Sequence, residues 1–479
     1  MRVCKDAACC KPKRLGDLKI MNNTLRSSIV GPVAVLVTLV LAGCGGSGGS
    51  SSASNPPPTT YTIGGSVIGL NSNSTVTILY GGKNALSATT NGPFTLPTAV
   101  PNSTTYTVAV GTSPSGQSCG VQNGAGTVDA ANVTSIYVYC TDNVSAATLN
   151  GTYDLASLNI DDDADQLFTA VPFNGTGTQG SSTVKGDQAG TTFPTATDNG
   201  GPYTVTTVLA LPALTSGTTN QGAIAGADGD EFYWLVNAVN ANGAGPALLF
   251  GVKPLTSATT ASLAGTWTTV GLTQAAKPYV TEQSLTINAD GSFTGTQSTL
   301  DVTGVATPQT ITGPASSFSV TNNIVSSGGN SGYISANGEF MMLTFVTQQS
   351  GGAAANYPDL IVGIKQGTGV TLATLNGVYS IGSLGFATAS TGNGETFTLS
   401  FDGQGNFGGT YATNDNGVTT NSVDFSGTYT VTASGGVTLT DSSGGVYPGA
   451  VSADGNLIVA ATLTGGGTQE PQMFAGFRQ

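Results

Sequence analysis

Histidine is absent from all 479 residues. That removes Ser-His-Asp and Cys-His nucleophile arrangements, and with them the commonest zinc and copper ligand. Charge is scarce as well, with Asp, Glu, Lys and Arg making up only 8% of the chain. Residues 1–43 hold seven of the 13 basic residues and two of the 26 acids, which leaves six and 24 from Cys44 onward, a net charge of −18. Such a surface repels nucleic acid and anionic headgroups, so no nucleic-acid partner is expected and the acidity reads as solubility. Thiols are few. Cys4, Cys9 and Cys10 precede an apolar segment and Cys44 ends it. Cys119 and Cys140 can pair, which leaves no later thiol as a nucleophile or soft metal ligand. No cofactor and no metal site is called for.

What is present is β-forming. Hydrophobic residues are 39% and Gly reaches 69. Short apolar runs alternate with Gly, Asn and Ser turns, and almost no helix-period stripe follows residue 45, so the chain reads as all-β. Its length predicts several domains. Residues 30–41 (VGPVAVLVTLVL) have the length of a signal-peptide core and are too short to span a bilayer. Arg26 precedes this run, and Leu41, Ala42, Gly43 and Cys44 close it. The box resembles that of bacterial lipoproteins. The resemblance implies cleavage before Cys44, a diacylglycerol thioether on its sulfur and acylation of the new amino group, hence a stable membrane anchor. Gly45 rather than Asp follows, which in that family implies the outer membrane, on its periplasmic or surface face. Residues 1–20 fit poorly as the start of such a signal and read as an over-extended start, with the signal proper at 21–43.

Residues 44–58 are a Gly/Ser/Pro tether, flexible and then stiffer. Residues 59–142 form a first module, with strands expected over Tyr61–Leu70, Val76–Tyr80, Phe94–Leu96, Tyr106–Val110 and Ile136–Cys140. GGSVIGL, NGPFTL, YTVAV and the two late cysteines resemble the small Ig-like or prealbumin-like repeats of bacterial surface proteins, which implies a sandwich. In an oxidising compartment Cys119 and Cys140 are expected as a structural disulfide, adding about 3 kcal/mol by the loop-entropy model.

The rest is three diverged copies of one unit, at 146–256, 258–367 and 370–479. Each opens alike, at Leu149, Gly151 and Tyr153; at Leu263, Gly265 and Trp267; and at Leu375, Gly377 and Tyr379. Each has an aromatic-hydroxyl-valine strand beginning at Tyr203, Phe318 or Tyr429, then an Asp-Gly or Asn-Gly turn at Asp228, Asn337 or Asp454. Those turns read as two-residue hairpins. Each copy closes on Gly, an apolar residue and a base: Lys253, Lys365 and Arg478. Four landmarks in one order, three times, establish repetition. The opening pattern and closing base resemble the calycins, the group of lipocalins and avidins. That implies small antiparallel barrels whose opening aromatic packs on the closing base. Cation–π pairs are therefore expected for Lys253 on Tyr153, Lys365 on Trp267 and Arg478 on Tyr379. An open sandwich per unit is the runner-up, and a three-bladed ring is disfavoured because each unit is long enough to stand alone.

No constellation carries chemistry. Asn159, Asp161, Asp162, Asp163 and Asp165 resemble a calcium loop only in part. An EF-hand needs Gly where Gln166 stands and Glu where Pro172 stands, so a solvated acidic loop is expected. Glu395, Asp402 and Asp454 are not paired by any motif as a glycosidase would need, and neither Lys185 nor Lys277 has a Ser–Lys motif. Trp234 and Trp267 are few for a carbohydrate platform. The expectation is a non-catalytic lipoprotein with a binding or envelope-structural role and an unknown protein or small-molecule partner. The alternatives are ligand binding inside the barrels and an envelope hydrolase using carboxylates.

Overall fold

The computed structural model describes residues 59–160, 164–188, 191–205, 224–226, 228–236, 246–274, 278–301, 304–305, 308–345, 359–388, 391–415, 418–462 and 471–479. Cys44, the signal, the tether, Asp161, Asp162, Asp163 and Lys277 lie outside them. The described chain is all-β: a sandwich followed by three barrel-type repeats.

In the first module two four-stranded sheets face each other. One runs Gly92–Thr95, Ile63–Ile68, Val133–Asp142, Gln117–Gln122. The other runs Lys83–Ala88, Val76–Tyr80, Thr105–Thr112, Ala125–Thr127. Alternate side chains from both meet in one core around Ile63, Val76, Ile78, Val108, Ile136 and Val138, the pattern of a half-buried strand. Val133–Asp142 lies parallel to Ile63–Ile68, with Val138 opposite Val67 and Tyr139 opposite Ile68. Three of these strands were not anticipated: Lys83–Ala88, Gln117–Gln122 and Ala125–Thr127. They are outer strands, half-exposed to exposed and poor in β-branched residues, so burial never imposed a pattern on them.

The third repeat is a closed eight-stranded barrel from Asn376–Thr388 to Gln472–Arg478, whose last strand returns to the first with Tyr379 opposite Arg478. The other two also pair first strand with last, Leu155 opposite Gly251 and Trp267 opposite Lys365. Neither forms a closed path among the described residues. The second repeat shows why. Its counterpart of the long strand Val418–Val431 is split into Gln309–Gly313 and Phe318–Thr321. The two pieces pair to opposite sides. The interruption begins at Pro314, which has no N–H for a ladder. In the first repeat, Tyr203 and Thr204 lie just past the short strand Gly201–Pro202, outside any described strand.

Each repeat fills its own interior. Tyr153, Phe173 and Phe232 do so in the first, Trp267, Leu285 and Phe318 in the second, and Tyr379, Phe397 and Phe401 in the third. The closing strands ALLFGV, DLIVGIK and QMFAGFR are apolar on both faces, as strands buried on two sides must be. Their outer faces meet those of the opening strands in one core shared by all three repeats, including Leu248, Phe250, Leu272, Val362, Leu384 and Phe477. At its centre Phe250, Phe340 and Phe477, one from each repeat, stand 6.0 to 6.5 Å apart. Each repeat thus has one core of its own and a part in a second, common one. The three encircle a common core, because half of each closing strand has no other place to bury its side chains.

Candidate functional site

The opening motif and the closing base meet at the same end of each repeat. A short 3-10 turn precedes the opening strand, at Ala146–Thr148, Thr260–Leu263 and Leu372–Thr374, each held by a reciprocal side-chain cap. The opening glycine has φ +127, +137 and +134 at Gly151, Gly265 and Gly377. At the last two, a β-carbon would stand within 3 Å of the stem of Lys365 or Arg478. The positive φ favours glycine at all three positions, and at the last two the base crosses close over it.

The aromatic beside it takes up a buried carbonyl. Tyr153 Oη donates to Gly229 O at 2.5 Å, and Tyr379 Oη donates to Gly455 O. Trp267 cannot do this; its Nε1 donates instead to Leu263 O at 2.7 Å. The equivalent carbonyls of Leu149 and Leu375 are each met at 2.8 Å by Tyr203 Oη and Tyr429 Oη. The second repeat has Phe318 at that position, so the indole supplies the donor that the phenylalanine lacks.

The bases behave in two ways. Lys253 Nζ lies 5.6 Å from the centroid of Tyr153 and 2.8 Å from Asp230 Oδ1. Burial works against its charge, but Asp230 and Tyr153 outweigh that and raise its pKa. Lys365 Nζ lies 5.7 Å from the centroid of Trp267 and 3.3 Å from Ser262 O. Burial lowers its pKa, partly offset by Glu339. Arg478 departs from the expected pattern. It stands opposite Tyr379 and opposes the rise that burial causes in that phenol. Among the described residues, however, the cation–π contacts are those of the two lysines, and Arg478 lines a cavity. The Arg478 stem crosses close over Gly377, with its Cδ 2.9 Å from where a β-carbon there would stand.

That cavity, about 410 Å³, is walled by the first module (Asn71, Asp142), the first repeat (Asp228, Glu231) and the third (Asn376, Arg478). Its floor includes Leu457 and Phe477. Glu231 is 3% exposed, and its Oε1 has no hydrogen-bond partner among the described residues. Burial, with Asp228, Asp230, Asp454 and Glu339 nearby, pushes its pKa up to about 8. Its surroundings therefore favour the neutral, protonated carboxyl over the charged one. Sequence reasoning missed this residue. The signal lay in the three turns: Asp228 to Glu231, Asn337 to Phe340 and Asp454 to Leu457 align, and a carboxyl occupies a position that is apolar in the other two copies.

The turns themselves are not the two-residue hairpins expected. Gly229, Gly338 and Gly455 accept the positive φ and donate their N–H to Gly226, Ser335 and Ser452 three residues back. That is a four-residue turn with a left-handed glycine. Asp228, Asn337 and Asp454 each accept the N–H two residues on, at 2.9 to 3.0 Å. The Asx side chain caps the turn and leaves the left-handed position to glycine alone.

The remaining candidates are structural. Cys119 and Cys140 are disulfide-bonded across the paired strands Gln117–Gln122 and Val133–Asp142. Asp402 caps its own hairpin through the N–H groups of Gln404 and Asn406, and Glu395 accepts from Gln472 at 2.6 Å. Asp165 is no part of a solvated loop. It is fully buried on Ala164–Asn174 and accepts from Thr344 of the second repeat at 3.3 Å, because the strand begins one residue before it and turns it inward. Between Phe397, Phe425, Tyr447 and Phe474 the third barrel leaves an apolar space of about 20 Å³, about the room of one water. Among the described residues no group of three or more His, Cys, Asp or Glu is placed to hold a metal ion.

No family model matches the chain, and no curated protein does. Two solved structures are similar over 69% of this chain and 75% of theirs. They are a double and a single mutant of the vaccine antigen transferrin binding protein B from Haemophilus parasuis Hp5, at 10% and 11% identity with TM-scores of 0.25 and 0.24.

Proposed function

We propose that this chain is a lipid-anchored, extracytoplasmic binding protein of the cell envelope without catalytic activity. Cys44 carries the lipid, residues 45–58 are the tether, and the described residues beyond it present a β surface. Ala42, Gly43 and Cys44 after the apolar run 30–41 support the anchor, and Gly45 supports the outer membrane, on either face. The observation that carries the binding role is that the repeats fill their interiors and merge round one core, while a polar cleft of about 410 Å³ stays open at their junction with the first module. Glu395, Asp402 and Asp454 are each engaged by neighbouring side chains or turn N–H groups. Between Phe397, Phe425, Tyr447 and Phe474 the apolar space inside the third barrel is about 20 Å³.

The anchor is tested by Cys44→Ser. The wild-type chain is expected to partition into detergent and to incorporate labelled palmitate, and the Ser variant to do neither. A Ser variant that still carries palmitate overturns the anchor. Capture from intact envelopes with the lipidated chain then tests the partner, which is an envelope protein or a small molecule.

A further inference from the structure

The cleft between the first module and the first and third repeats combines features that structural packing does not explain. Glu231 is 3% exposed and is one of the residues lining the cleft, and its buried Oε1 has no hydrogen-bond partner among the described residues. At the same position the other repeats have Phe340 and Leu457, which pack into the shared core. A carboxyl there costs desolvation, and its buried Oε1 is not compensated by any donor among the described residues. Its neighbours worsen the cost, because Asp228, Asp230, Asp454 and Glu339 all oppose its charge. Protonation meets that cost, and a cation seated beside the carboxyl would favour its ionised form instead. A metal is disfavoured, since among the described residues no ligand group is placed for one. Such a cation is then organic, an ammonium.

Arg478 decides the rest. The ion pair found among the described residues is Lys253 with Asp230, so Arg478 is not neutralised by one. It shares the cleft with Glu231. A bare amine would be repelled by the guanidinium, and a bare carboxylate by Asp142 and Asp228. A molecule bearing both charges satisfies both walls, with its carboxylate taken bidentately by the guanidinium. Leu457 and Phe477 give an apolar floor for an aliphatic side chain.

We propose that this cleft binds a small zwitterion of the amino-acid type, ammonium on Glu231 and Asp228, carboxylate on Arg478. This deepens the binding reading above. Binding moves one proton: the neutral Glu231 carboxyl releases its proton to solvent as the ammonium settles beside it.

The test is calorimetric titration of the mature full-length chain in detergent with glycine, L-alanine and L-serine, beside ethylamine, propionate and glucose. The zwitterions are expected to bind, with single-charge probes and glucose weaker by about tenfold or more. At pH 7 the binding heat is expected to depend on the ionisation heat of the buffer, which reports proton release. Glu231→Gln and Arg478→Gln should each weaken zwitterion binding by about tenfold or more, and the first should abolish the buffer dependence. Circular dichroism confirms that both variants are folded, and the buffer dependence of the wild type needs no variant at all. Zwitterions that do not bind at about 10 mM, or that bind without proton release and equally to Glu231→Gln, overturn the proposal. A chain that captures an envelope partner yet takes up none of these probes loses this inference and keeps the binding role.

Discussion

Glu231 governs more than a cleft. Its carboxyl keeps a proton to about pH 8 in the folded chain, whereas an unfolded glutamate loses it near 4.5. Between those values the native state binds a proton that the unfolded state has released, so stability falls as pH rises through the window. Asp154, raised to about 6 by burial, adds a smaller effect of the same sign. The expected loss from Glu231 between pH 5 and pH 9 is about 2–5 kcal/mol. Urea unfolding at both pH values checks this. The wild-type midpoint should drop on going alkaline, and Glu231→Gln should drop much less. Equal drops would show that the carboxyl is not held in its neutral form. The exchange of donors around Leu263 makes a related point. Where Phe318 replaces a tyrosine, Trp267 replaces another, and the buried carbonyl keeps a donor. At this scale polar groups buried without water constrain substitutions in pairs.

Among elements, the disulfide joins Gln117–Gln122, an outer strand, to Val133–Asp142, which packs against two others. Gln117–Gln122 is only half-buried along most of its length, so the cross-link supplies stability that packing does not. Replacing Cys119 and Cys140 together by Ser is expected to destabilise the first module by about 2–4 kcal/mol. Thermal unfolding with and without reductant measures it, and the variant should match the reduced wild type. The strands legible in the sequence are those with a buried face. Val76–Tyr80 was read with its observed limits, and Ile136–Cys140 lies within Val133–Asp142. Lys83–Ala88 was missed because its residues are mostly exposed and no alternation was imposed. The repeats were legible because four positions carry backbone or packing constraints, above all the opening glycine under its closing base. What periodicity within one copy cannot reveal is where its outer face goes. That requires comparing copies, and the same comparison exposes Glu231.

For the molecule as a whole, the shared core makes the repeats interdependent. Phe477 touches the rings of Phe250, Phe340 and Tyr233 from other repeats. Phe477→Ala is expected to cost about 3–5 kcal/mol and to lower the stability of all three repeats together. Calorimetry should show one main transition for residues 146–479, shifted as a unit. A variant that melts the third repeat alone would argue for independent units. The first module transmits whatever load reaches the repeats. Its entry strand Ile63–Ile68 and exit strand Val133–Asp142 are parallel neighbours. A pull on the chain before Ile63, resisted beyond Asp142, drags the two strands past one another along their length. The bonds between them then resist together, in shear, instead of opening one at a time as in a peeled hairpin. Force entering before Ile63 and leaving beyond Asp142 thus meets the whole ladder at once.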